Sequence, residues 1–408
     1  MTRLQPPVAA RSPTGRAPHL PALDGLRGVA VLGVLLHHAG PLPGGFLGVD
    51  LFLVLSGFLI TGLLLREVEA TGTVSLTAFW GRRTRRLLPA LAAVLSGTTM
   101  LVWALGRAEL LRTALADGPW AQLGLLNWHL VADSAGYWDR FGPGRVFEHL
   151  WSIAVEEQFY LAWPVVLVAV AAVARRRGRR LDPAVATIAA LAALASLAAA
   201  VALAGAPDPT RVHMGTDTRA CALLLGALAA TGPVRGALAL AAGRWAAALS
   251  AVLAAGTAAL WALADGERSA WLFGGGLGAH SLAAALLVGL CAQAPGGPVA
   301  AALGWRPLRW TGRISYSLYL WHWPLLVLTG PGRGPLATIL ACGLAVGLAA
   351  LSTHLVEDPI RFRARWARGR SGALAAGAVT AGLAVLWWAL WWALPAPAAP
   401  TVDTTGLR

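Results

Sequence analysis

The chain has 408 residues, 57% hydrophobic and only 13% charged. Soluble domains carry about 25% charged residues, so this composition, with a mean hydropathy of +0.62, excludes an ordinary soluble protein and indicates an all-α, polytopic membrane helix bundle. The net charge of +14 sits in short clusters between apolar runs, as cytoplasmic membrane loops do, and leaves no soluble basic domain for nucleic acid.

Residues 1–20, rich in Pro, Arg and Ala, read as a disordered cytoplasmic tail. The first span follows at 23–38. A basic segment before an apolar run also fits a signal peptide. Cleavage behind this run would discard its polar residues, and another apolar run follows at once, so it reads as a retained span. An α-helix turns about 100° and rises about 1.5 Å per residue. Arg27 and His38, eleven residues apart, therefore share one stripe, roughly 16 Å apart along the axis. Asp24 lies on the same stripe and is expected to pair with Arg27. Ionisable groups in a membrane helix face a protein interior or a wet cavity, which makes this line the first candidate site.

Apolar runs recur at 46–65, 87–105, 149–173, 184–204, 218–231, 245–264, 270–292, 314–329, 336–356 and 372–394. Most approach the ~20 residues that cross a bilayer, which predicts ten to eleven spans. With the N-terminus in the cytoplasm, the basic clusters at 82–86, 175–180, 235–244, 306–313 and 361–370 all fall inside. Trp387, Trp388, Trp391 and Trp392 are placed as an interfacial belt at the outer end of the last span. The domain reading is a membrane domain at 21–365, an additional helix at 366–394 and a short extracytoplasmic tail at 395–408. Cys221, Cys291 and Cys342 lie in apolar runs without metal or disulfide spacing, so they read as packing residues and no metal is expected.

Three further stretches carry chemistry. Near the outer mouth, Asp50 opens the second span, and Ser152 and Glu156 are four residues apart on one helix face. A Ser, a Glu and His38 at one depth would form a proton-transfer group; equally, Ser152 would be a helix cap and Glu156 a first-turn carboxylate. At the inner mouth, Arg82, Arg83, Arg85 and Arg86 fall within five residues. Arginine forks bind phosphate oxygens bidentately, whereas topology anchoring or attraction to anionic lipid explains such a cluster without a ligand. The ninth span carries Tyr316, and Ser315, Tyr319 and His322 on one face, which fits either a wet cavity wall or interhelical hydrogen bonding. Glu357, Asp358 and Arg361 are expected to cap and salt-bridge the inner end of the tenth.

These blocks, in this order from about residue 20 to 365, resemble the acyltransferase family 3 membrane proteins, which O-acylate bacterial surface polysaccharides, peptidoglycan and some macrolides. The family's Arg-x10-His pair maps to Arg27 and His38, its Ser-x3-Glu block to Ser152 and Glu156, and its inner Arg-x-Arg to Arg83 and Arg85, with a shift to Arg82 or Arg86 open. The resemblance implies a multi-pass enzyme of the cell membrane that moves an acyl group, acetyl foremost, from cytosolic acetyl-CoA or another acyl-CoA to a hydroxyl of a surface glycan or lipid-linked saccharide. His38 would be the proton acceptor, or carry the acyl group transiently. O-acylation of a macrolide-type molecule, or glycolipid transport without catalysis, are the alternatives. Many relatives have an acidic residue where this chain has Cys221. Some also carry an extracytoplasmic hydrolase-like domain that completes transfer; a separate protein would supply that step here, or the membrane domain would act alone.

Overall fold

The computed structural model describes residues 19–133, 144–205, 209–266, 268–330, 332 and 334–393. Apart from residues 19 and 20, both expected tails lie outside them. Among the described residues the chain is helical throughout, with no strand. The helices are α1 (Pro21–Ala39), α2 (Gly48–Thr71), α3 (Leu76–Ala104), α4 (Ala108–Gln122), α5 (Leu126–Ala132), α6 (Trp151–Arg176), α7 (Leu181–Leu203), α8 (Thr210–Met214), α9 (Thr216–Ala229), α10 (Gly232–Ala242), α11 (Ala246–Leu263), α12 (Gly276–Gln293), α13 (Pro298–Leu303), α14 (Arg306–Leu328), α15 (Pro335–Leu351) and α16 (Gly369–Ala393).

Eight helical stretches among the described residues are long and apolar enough to cross a membrane, which agrees with a multi-pass bundle. Three expected spans fall short for identifiable reasons. α9 has 14 residues, α1 carries Asp24 and Arg27, and α14 begins with Arg306, Arg309 and Arg313. All three nevertheless pack among the long helices, α1 chiefly on α14 and α9 chiefly on α2 and α7. The extra C-terminal helix, α16, lies against α3 and α4. Of its tryptophans, Trp388, Trp391 and Trp392 are exposed, but Trp387 turns inward and donates to Gln122 Oε1 at 2.8 Å. Three of the four expected tryptophans are therefore exposed, because the four fan over about 140° of the helix and Trp387, at one edge of that arc, faces α4.

Bare backbone sets how closely α1 packs. A Cβ on Gly28 or Gly312 would overlap the carbonyl of Leu308 or Asp24 across the α1–α14 contact, and one on Gly25 would overlap the carbonyl of Leu303 at the end of α13. Small residues let membrane helices approach this way. The contact runs α1 parallel to α14, so that Arg27 lies near the start of α14 and His38 near its end. α1 then stops at Gly40, whose φ of 108° suits a residue without Cβ. The two ends of the bundle are accordingly an arginine end and a histidine end. Replacing Gly312 with Val should destabilise the protein by about 1–3 kcal/mol, read as a lower midpoint in thermal unfolding of the detergent-solubilised protein, whereas Gly343→Val, where a Cβ meets nothing within 4 Å, should leave it unchanged.

Candidate functional site

A cavity of about 730 Å³, counting its open mouth, lies between α1, α2, α3, α6 and α14. Arg27, Arg83 and Arg86 line one end of it. Tyr160, Glu156 and Ser152 continue the wall along α6, one helical turn or about 6 Å per step. The Arg83 guanidinium sits over the Tyr160 ring at 4.9 Å. Hydroxyls of Ser56 and Tyr160 both donate to Glu156 Oε1, which fixes the carboxylate in the middle of the wall. At the far end Tyr319 donates to the His149 carbonyl at 2.7 Å and therefore accepts from Ser152 Oγ at 2.6 Å, since a phenol has one proton to give. Ser315, fully buried in the same wall, has no hydrogen-bond partner among the described residues. An unpaired buried hydroxyl costs about 1–3 kcal/mol, so this one fits a ligand that would bond to it.

Two prolines prepare the surroundings. Proline lacks an N–H and frees the carbonyl four residues earlier. Pro164 frees Tyr160 O, which accepts from Trp80 Nε1 at 3.1 Å and ties α3 to α6 beside the arginines. Pro324 frees Leu320 O, which accepts from His149 Nε2 at 3.2 Å. His149 thereby lies against Tyr319 and His322, with ring centroids 5.5 Å from each.

The sequence-predicted residues divide into three groups. Arg27, Glu156, Ser152, Arg83, Arg86, Tyr316 and Tyr319 share the cavity. His38 and His322 do not line it. They stand behind Tyr319 at the histidine end, His38 Nδ1 3.0 Å from His322 Nε2, with Trp323 against the His38 ring at 4.6 Å. The remaining residues lie elsewhere. Arg82 pairs with Glu67 at 3.1 Å and Arg85 donates to Ala367 O at 3.3 Å. The arginine cluster belongs to α3 itself, so neighbours two apart point about 200° from one another and those three apart share a face; the cavity-facing pair is Arg83 and Arg86, not Arg83 and Arg85. Asp50 forms a buried ion pair with Arg219 at 2.9 Å and accepts from Ser281 at 3.3 Å, in the wall of a separate, smaller pocket.

Other expectations are corrected by single contacts. Asp24 lies 2.7 Å from His19 Nε2 instead of pairing with Arg27, because Arg27 turns into the cavity. Ser152 makes no helix cap. Glu357 is buried and accepts from Ser317 and Thr353, while Asp358 lies 3.8 Å from His354; neither salt-bridges Arg361. Ser56, Tyr160 and His149 were not singled out in advance. Ser56 alone lies on another helix, with no spacing to reveal it, whereas Tyr160 continues the four-residue rhythm of Ser152 and Glu156.

The rim of the histidine end is braced outside the long helices. Arg145 donates to the buried Asp117 at 2.7 Å and to Asp133. Burial opposes its charge, but the two carboxylates outweigh that and raise its pKa above the ordinary value. Its carbonyl accepts from Trp323 Nε1 at 2.8 Å, which holds the indole against His38. Chemically, the arrangement offers guanidiniums for an anionic group at one end and imidazole nitrogens that can accept or donate a hydrogen bond at the other. Among the described residues no group of three or more His, Cys, Asp or Glu is arranged to hold a metal.

The model of an acyltransferase domain matches residues 20–355 of the chain. YrhL of Bacillus subtilis, described as a candidate peptidoglycan O-acetyltransferase, is 36% identical over 84% of the chain and 55% of its own length. The peptidoglycan O-acetyltransferase OatA of Listeria monocytogenes is 32% identical over 84% of the chain and 56% of its own length. The O-acetyltransferase OatA of Staphylococcus aureus is 33% identical over 84% and 57%. The chain thus spans about half the length of the curated relatives it matches. No solved structure matches it.

The Asp50–Arg219 pair is expected to act on stability. Arg219→Met strands a buried carboxylate and should destabilise by about 3–5 kcal/mol, while Asp50→Leu with Arg219→Met should recover most of the loss, measured by thermal unfolding of the purified protein.

Proposed function

Because the chain belongs to the acyltransferase family 3 membrane proteins, we propose that it moves an acyl group, acetyl foremost, from cytosolic acyl-CoA to a hydroxyl of a cell-wall glycan or its lipid-linked precursor. One observation carries this reading: a single cavity runs from three guanidiniums, Arg27, Arg83 and Arg86, to a Ser152–Tyr319 partition, with the His38–His322 pair directly behind.

On this reading the arginine end and the N-terminus face the cytosol, as the basic clusters require, and the enzyme resides in the cell membrane. The phosphates of the donor rest on the arginines at the mouth, and its thioester arm lies along the α6 wall, with Ser315 offering a hydroxyl. The acceptor arrives from the opposite side, in the lipid or beyond it. Neutral His38 takes the proton of the acceptor hydroxyl as its oxygen bonds to the thioester carbonyl carbon. The carbon–sulfur bond breaks, and the sulfur leaves as thiolate to be protonated in the cytosol.

In the present conformation Tyr319 separates the two halves, so transfer requires its hydroxyl to leave Ser152 and the His149 carbonyl. Glu156, tethered by Ser56 and Tyr160, balances the arginine charge along the donor path. The membrane domain at 21–365 performs this step, and a separate extracytoplasmic transferase carries the acyl group onward if the first acceptor is not the final one.

Membranes containing the chain, supplied with radiolabelled acetyl-CoA and cell-wall glycan, should yield base-labile acetate on the glycan. His38→Ala should lower the rate by about 10²–10⁴-fold; full transfer by that variant would remove the assignment. Arg83→Ala should raise the KM for the donor by about tenfold or more, consistent with losing a charge-assisted bond. Arg85→Ala should leave it unchanged, and equal effects of the two would contradict the docking site.

A further inference from the structure

His38 and His322 form a directed pair. His322 Nδ1 lies 2.7 Å from the carbonyl oxygen of Tyr319 and 3.2 Å from that of Leu318. A carbonyl only accepts, so Nδ1 carries the hydrogen. The ring is 1% exposed and pairs with no carboxylate among the described residues, and an unpaired charge in such a place is strongly disfavoured. It is therefore neutral, and a neutral imidazole has a single N–H. Its Nε2 is an acceptor, and the group 3.0 Å from it, His38 Nδ1, must donate. The basic lone pair of a neutral His38 consequently sits on Nε2.

We infer that His322 is a positioning residue: by accepting from Nδ1–H it holds His38 in the one tautomer whose Nε2 can take the acceptor's proton. The inference rests on His38 being the proton acceptor. The backbone of α14 supplies the direction, because the carbonyls that orient His322 are those three and four residues before it on its own helix. The neighbouring His37 directs its Nδ1 to the Pro43 carbonyl at 2.7 Å, with its ring centroid 5.1 Å from that of His38. Trp323 packs on His38 from the same helix, so one turn of α14 fixes both the tautomer and the plane of the ring.

Three substitutions of His322 in the full chain, assayed in membranes with radiolabelled acetyl-CoA and cell-wall glycan, test this. His322→Gln places an amide oxygen near the position of Nε2 and retains an acceptor. His322→Asn stops short of it, and His322→Met fills the volume without an acceptor. The Gln variant should keep kcat within about tenfold of wild type, while Asn and Met should lose about 10²-fold or more, all three with the KM for acetyl-CoA unchanged. A role in packing alone predicts the reverse, with apolar Met tolerated best in this buried site, and that ranking would overturn the inference. So would equal activity of Gln and Asn at any level, a comparison that stands even if the Met variant does not accumulate. His38→Ala run alongside separates the two claims: activity surviving there defeats the reading of His38 itself, whereas loss there with an insensitive His322 defeats only the inference.

Discussion

Backbone lies on backbone where α1 crosses α14, and the glycines at that crossing determine where the polar groups of both helices end up. With Gly28 and Gly312 bare, the helices run side by side for the length of α1. Arg27 is then delivered to the mouth of a cavity and His38 to the last turns of α14. A membrane interior tolerates these groups only against partners or water. The close parallel contact provides both, a cavity at one end and a histidine pair at the other.

The bundle then uses helix breaks as connectors. Prolines inside helices lose a hydrogen bond, and here the released carbonyls of Tyr160 and Leu320 are taken by Trp80 and His149. Each of these bonds lies beside a group of the site. Tyr319 occupies the centre of the design. Its hydroxyl joins α6 to α14 through Ser152 and the His149 carbonyl, so the expectation of Tyr319 as interhelical glue and that of Tyr319 as cavity wall are both met by the same atom. A partition built from two neutral hydrogen bonds is cheap to open, each contributing only about 0.5–1.5 kcal/mol net.

Much of this was legible from residue spacing. Eleven residues between Arg27 and His38 give one stripe on any α-helix, and the structure keeps them on the same face of the bundle core. The four-residue interval of Ser152 and Glu156 likewise survives as a cavity wall. Spacing failed where it needed a helix boundary. Once Arg82 to Arg86 lie within α3 instead of ahead of it, the face-sharing pair becomes Arg83 and Arg86, and the others find Glu67 and Ala367. It failed again where a partner comes from a distant segment. Nothing near Asp50 announces Arg219, 169 positions away, and nothing near His38 distinguishes a ring lining a cavity from one bonded to His322 behind it. Such pairings depend on tertiary packing, which local periodicity does not encode.

On the proposed reading the donor enters its cavity from the arginine end. Ser56→Cys in a background lacking Cys221, Cys291 and Cys342 places a thiol in the cavity wall, and a membrane-impermeant maleimide applied to sealed vesicles of each orientation reports its access. Labelling from the cytosolic face alone, blocked by acetyl-CoA, is the expected result. Labelling from the opposite face, or labelling indifferent to acetyl-CoA, would contradict the account.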